Sequence, residues 1–102
     1  MKNKKHIELI NKILLEKFPE MYPDYRVTEI AVKKNNINLL EELARRNKID
    51  KDNVASLAVD YNELAVLKWA YQNKYRINIS LINTAVIKKL WNIHRYLVQT
   101  IL

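Results

Sequence analysis

The sequence predicts an all-α protein, an α-solenoid of stacked antiparallel helix pairs. Three observations predict it. A short apolar phrase recurs as His6-Ile7-Glu8-Leu9-Ile10, Asn36-Ile37-Asn38-Leu39-Leu40, Glu63-Leu64-Ala65-Val66-Leu67 and Leu90-Trp91-Asn92-Ile93-His94. Its anchors Ile7, Ile37, Leu64 and Trp91 stand 30, 27 and 27 residues apart, and a fixed period of this size marks a stacked array. In the last copy Leu90 competes with Trp91 for the anchor position. No segment alternates apolar and polar residues strictly enough for a half-buried strand. Glycine is absent from all 102 residues, which disfavours β sandwiches and phosphate-cradling loops.

The elements follow in order. Residues 4–17 read as an amphipathic helix, with Ile7, Ile10 and Leu14 on one side and Leu9 and Ile13 close by. Residues 18–25 read as a turn segment, because Pro19 and Pro23 each disfavour helix in the residue before them. A short helix over 26–34 ends at Asn35, and Asn62 holds the matching place one copy later. Asparagine tolerates the left-handed conformation better than most residues, so it substitutes here for the missing glycine. The helix over 37–47 turns Leu39, Leu40 and Leu43 inward and leaves Glu41, Glu42, Arg45 and Arg46 to solvent. Residues 48–53 form a polar connection in which Asp50 or Asp52 caps the next helix. Helices over 53–61, 63–74, 80–88 and 90–102 complete the chain, with Ser80 as a cap. That makes about seven helices, in units of 4–25, 26–52, 53–79 and 80–102 within a single domain.

The phrases Lys5-His6-Ile7-Glu8-Leu9-Ile10 and Ala58-Val59-Asp60-Tyr61-Asn62-Glu63-Leu64-Ala65-Val66-Leu67-Lys68-Trp69 resemble the ankyrin repeat. In that family a small-residue pair closes the inner helix and a Leu-Glu-Val-Val type run opens the outer one. Asn73-Lys74-Tyr75-Arg76-Ile77-Asn78 is similar to the segment that follows the family's outer helix, and Asn47-Lys48-Ile49-Asp50 is a shorter version. Leu67-Lys68-Trp69 looks like the divergent ankyrin repeats of large DNA viruses. The likeness covers about residues 5–102. The chain departs from the family in its shorter period, against about 33 residues, in lacking turn glycines and the Thr-Pro-Leu-His opening, and in having too little chain between Asp50 and Ala58 for a full finger. The first copy has no inner helix. The resemblance implies a degenerate, short-fingered stack that binds another protein, and a structural role for His6.

Composition bounds the function. Apolar content is 49% and charged content 28%, which is globular rather than disordered. Cysteine is absent, so no disulfide or thiolate metal site operates, and this suits a reducing compartment. Glu8, Lys12 and Glu16 break any export signal. The longest uncharged run, Ile77 to Ile87, is eleven residues, short of the ~18 that span a membrane. These features point to a soluble intracellular protein, cytoplasmic or nuclear, or host-cell or virion-borne if the viral likeness holds.

The net charge of +7 is unevenly placed. Residues 1–63 carry 12 bases and 11 acids, whereas residues 64–102 carry no acid against Lys68, Lys74, Arg76, Lys88, Lys89 and Arg95. A one-signed third favours encounters with acidic proteins, nucleic acid or anionic membrane. Tyr71, Tyr75, Trp91 and Tyr96 lie in the same region, although in no recognised nucleic-acid motif. In the last helix Leu90, Ile93, Leu97 and Ile101 form one apolar stripe and Trp91, Val98 and Leu102 a second. The second stripe either packs back on its own domain or meets a partner or a second copy.

Catalysis is not expected. His6 and His94 lack partners at metal-ligand spacing. Ser56 and Ser80 sit at helix starts, and Glu41 and Glu42, being adjacent on a helix, point apart. Trp69 flanks an apolar run and reads as core. No catalytic, metal or cofactor site is assigned. The expected function is a non-catalytic protein-interaction module or small scaffold. Its candidate contacts are Tyr61, Lys74, Tyr75, Arg76, Trp91, Arg95, Val98 and Leu102, with homo-oligomers possible through the last helix. The alternative is nucleic-acid binding through the six basic residues of the acid-free third.

Overall fold

The computed structural model describes residues 23–102, so the expected helix over 4–17, its Ile7 anchor and His6 lie outside the described residues. Six helices and no strand occur among the described residues: α1 (Asp24–Lys33), α2 (Ile37–Arg45), α3 (Val54–Asp60), α4 (Leu64–Gln72), α5 (Ser80–Ile87) and α6 (Trp91–Ile101). Consecutive helices pack as α1–α2, α3–α4 and α5–α6, and α3 packs in turn against α1 and α5.

Five of the six helices end in one device. Asn35, Asn47, Asn62, Lys74 and Lys89 all have positive φ, between 51° and 61°. In each case the next residue's N–H reaches back to the carbonyl five positions earlier: Asn36 to Ala31, Lys48 to Leu43, Glu63 to Ala58, Tyr75 to Ala70 and Leu90 to Ala85, at 2.8–3.0 Å. This left-handed close satisfies carbonyls that a helix end otherwise leaves bare. Asn35, Asn62 and Lys89 are 27 residues apart, as are Asn47 and Lys74. The expectation that asparagine replaces glycine is met at Asn35 and Asn62. Two of the remaining positions fall to lysine, which propensity does not anticipate.

The same period settles the last copy. The helices after the short turns begin at Ile37, Leu64 and Trp91, so Trp91 is the anchor and Leu90 is the residue preceding the helix. Ala31, Ala58 and Ala85, each followed by valine, are fully buried at equivalent helix ends.

Helix starts depart from expectation in three places. α1 begins at Asp24, because Pro23 occupies the N-cap with extended geometry and restrains only the residue before it. Ser80 is not a cap: Ile79 precedes α5, and the Asn78 side-chain oxygen accepts from the Ser80 N–H at 2.9 Å. Neither Asp50 nor Asp52 caps α3: Asn53 holds the N-cap position and makes no side-chain cap bond. Asp50 accepts from the Asp52 N–H and the Asn53 side-chain amide at 3.2 and 2.9 Å, bracing the connection ahead of α3. Its own N–H donates to Thr28 Oγ1 at 2.9 Å.

The core contains Leu39, Leu40 and Leu43 from α2, as expected, with Leu67, Trp69, Ile93 and Leu97 from the later helices. Val32 and Val59, equivalent residues on α1 and α3, are both fully buried. Burying a side chain of this size contributes roughly 1.5–3 kcal/mol.

Candidate interaction surface

The apolar side chains that remain outside concentrate on the last pair. Ile79 is 60% exposed, Val86 42%, Ile87 79%, Trp91 58% and Leu102 75%. Val86 is the 27-residue counterpart of Val32 and Val59, which are fully buried. On α6 the first stripe turns inward, with Ile93 and Leu97 fully buried and Leu90 and Ile101 packed against the core. The second stripe turns outward at Trp91 and Leu102, with Val98 half-buried. Trp91, His94, Arg95, Val98 and Gln99 line a shallow groove of about 400 Å³, and the His94 ring stands edge-on to Trp91 at 6.2 Å.

A second groove, about 530 Å³, is lined by Tyr71, Gln72, Lys74, Tyr75, Ile77 and Ile101. Lys74 occupies a left-handed turn and Arg76 is exposed. Tyr75 is half-buried, edge-on to the core residue Trp69 at 5.4 Å, and burial raises the pKa of its phenol. The structure thus brings Lys74 and Tyr75 to one groove, and Trp91, Arg95 and Val98 to another.

Tyr61, a candidate contact, stands at the end of α3. It is half-buried, and its hydroxyl donates to Glu29 Oε2 at 2.9 Å across the α1–α3 contact. That bond lowers the Glu29 pKa, with a further contribution from Arg26, and raises the Tyr61 pKa. Lys33 Nζ lies 6.0 Å from the Tyr61 ring centre.

Two of the six basic residues are engaged within the chain. Lys88 pairs with Asp60 at 3.2 Å, and Lys68 Nζ lies 5.7 Å from the Tyr96 ring centre. Tyr96 also meets Tyr71 edge-on at 6.4 Å, so α4 and α6 touch through these three residues. Lys89 joins α5 to α6 at a left-handed turn, and Arg95 borders the Trp91 groove.

Sequence reading missed Ile79, Val86 and Ile87. The signal for Val86 was present, since Ala85-Val86 repeats Ala58-Val59 at 27 residues. No group of metal-ligating side chains occurs among the described residues, and no described helix is long and apolar enough to cross a membrane. Comparison with family models, curated proteins and solved structures gives no match.

Proposed function

We propose that the chain is a non-catalytic protein-interaction module built as a degenerate ankyrin-like α-solenoid, with units of about 26–52, 53–79 and 80–102 following a partial first unit. The observation that carries this reading is the 27-residue recurrence of the left-handed helix closes, of the buried alanines Ala31, Ala58 and Ala85, and of the helix starts at Ile37, Leu64 and Trp91. Like turns at equal intervals favour a similar relation between successive helix pairs. Arrays of this kind present extended binding surfaces. The exposed apolar residues of the last pair, with Arg95 beside them, supply a surface suited to protein contact. A viral host-interaction or assembly role belongs to the same reading and rests on the sequence resemblance.

A photo-reactive amino acid placed at Val98 or at Tyr75 tests this. The expected adduct is one defined polypeptide that persists as salt rises. Nucleic-acid binding is the second reading, favoured by the absence of acids from 64 to 102. It predicts oligonucleotide affinity that falls linearly with log salt concentration, and loss of that affinity when Lys74, Arg76, Lys89 and Arg95 become Gln. Adducts to nucleic acid alone, together with that salt slope, would overturn the first reading.

A further inference from the structure

The surface that α4 offers to α6 has a counterpart on α6 itself. On α4, Tyr71 meets the Tyr96 ring edge-on and Lys68 lies over the same ring. Twenty-seven residues further on, Val98 stands in the place of Tyr71 and Arg95 in that of Lys68. Both border one groove with Trp91. The neighbouring helix tells the same story: Val32 and Val59 are fully buried, while Val86, their counterpart, is 42% exposed.

We propose that this face of the α5–α6 pair docks an amphipathic helix of a partner protein, one that presents an aromatic side chain flanked by acids. The inference rests on the interaction-module reading above and specifies the partner's chemistry. The site is continuous with the chain's own stacking contacts, which fixes the occupant as a helix. The aromatic residue follows from Tyr96, which Tyr71 and Lys68 receive one unit earlier. It seats against Val98 and beneath Arg95. The acids follow from charge: the chain has none beyond Glu63, and Lys89 and Arg95 meet no acid among the described residues. A second copy docking face to face opposes these cations to one another, which selects against it.

The experiment titrates the full ¹⁵N-labelled chain with a designed helical peptide carrying a Leu stripe, a central Tyr and a Glu-rich polar face. Two twins replace the Glu residues with Lys, or the Tyr with Ala. The expected result is a shift of the Trp91 indole N–H and of the Val86, Arg95 and Val98 amides. Each twin, and the Trp91→Ala variant, binds about tenfold more weakly or worse, as expected when a central anchor is lost. Arg95→Gln reduces the preference for Glu over Lys, with the amide spectrum reporting an intact fold. Equal binding of the Glu and Lys peptides, or no shift with any peptide, overturns the proposal. Self-association abolished by Val98→Asp also overturns it and assigns the face to a second copy. Shifts confined to the Tyr71–Ile77 groove overturn this proposal while leaving the interaction reading in place. Salt-sensitive oligonucleotide binding with no peptide response overturns both.

Discussion

Lys74→Gly is expected to stabilise the protein, although glycine usually weakens a helical chain. Lys74 has φ of 61°, where an L-residue with a Cβ is disfavoured by roughly 1–2 kcal/mol. Glycine relieves that cost but loses roughly 0.4–1 kcal/mol through its greater freedom in the unfolded chain. The side chain is exposed, so its removal sacrifices little packing. The net gain is about 0.5–1 kcal/mol, or roughly 2–8 °C in Tm for a domain of this size. Urea unfolding should show a higher midpoint at unchanged slope. Lys89→Gly, at φ 59°, should behave alike. Asn62→Gly should gain less, because asparagine already tolerates this region. Lys74→Ala retains the Cβ and should change stability little. Ala65→Gly, on the exposed side of α4, should cost about 1 kcal/mol. If Lys74→Gly and Ala65→Gly destabilise equally, the left-handed close is not there and the repeated turn geometry fails with it.

Val59→Ala should cost about 1–2.5 kcal/mol and Val86→Ala well under 1, since only the first leaves a cavity; matched denaturation curves compare the two. Thr28→Val keeps the shape of a fully buried side chain but strands the Asp50 N–H, at an expected cost of about 1–3 kcal/mol. The Tyr61–Glu29 bond imposes a pH dependence of known sign. The Glu29 pKa is lowered by the Tyr61 hydroxyl, so its contribution is present above the ordinary carboxylate range and lost as pH falls through the lowered folded value. The Tyr61 pKa is raised from 10.0 by the same bond, so that contribution is present below pH 10 and lost at still higher pH. Tyr61→Phe should flatten both arms of a stability–pH profile, and a variant with arms as steep as wild type would assign the dependence to other groups.

The helix register was highly legible. Apolar spacing placed the buried residues of α2 and the inward stripe of α6, and the two asparagines marked turns that the backbone contains. What escaped was decided by context. Lysine at a left-handed position carries no local signature, because the conformation at Lys74 and Lys89 is held by N–H bonds back to the preceding helix. Asp50 looked like a helix cap, yet its partners belong to the connection ahead of α3. Tyr61 looked like a surface contact because nothing in its neighbourhood of sequence announces Glu29, 32 positions earlier. The surface of the last pair was half legible. Trp91, Val98 and Leu102 were visible as a surplus stripe, whereas the exposure of Val86 and Ile87 required knowing that no described helix follows to cover them.

The packing of each helix on its neighbour or next neighbour in the chain has a kinetic consequence. The closures needed to bring these surfaces together are short, so the entropic barrier to forming them is low and folding should be fast. The α3–α4 pair touches a helix on either side and is the natural place for structure to begin and spread. Among the described elements the α1–α2 and α5–α6 pairs are each held from one side only, so the amides of α5–α6 should exchange with solvent earlier than those of α3–α4. Among the described pairs, and compared with the central one, the pair that leaves most apolar surface uncovered should therefore also open more readily. Anything seated on it would act as a clamp, slowing the local opening by which the chain begins to unfold.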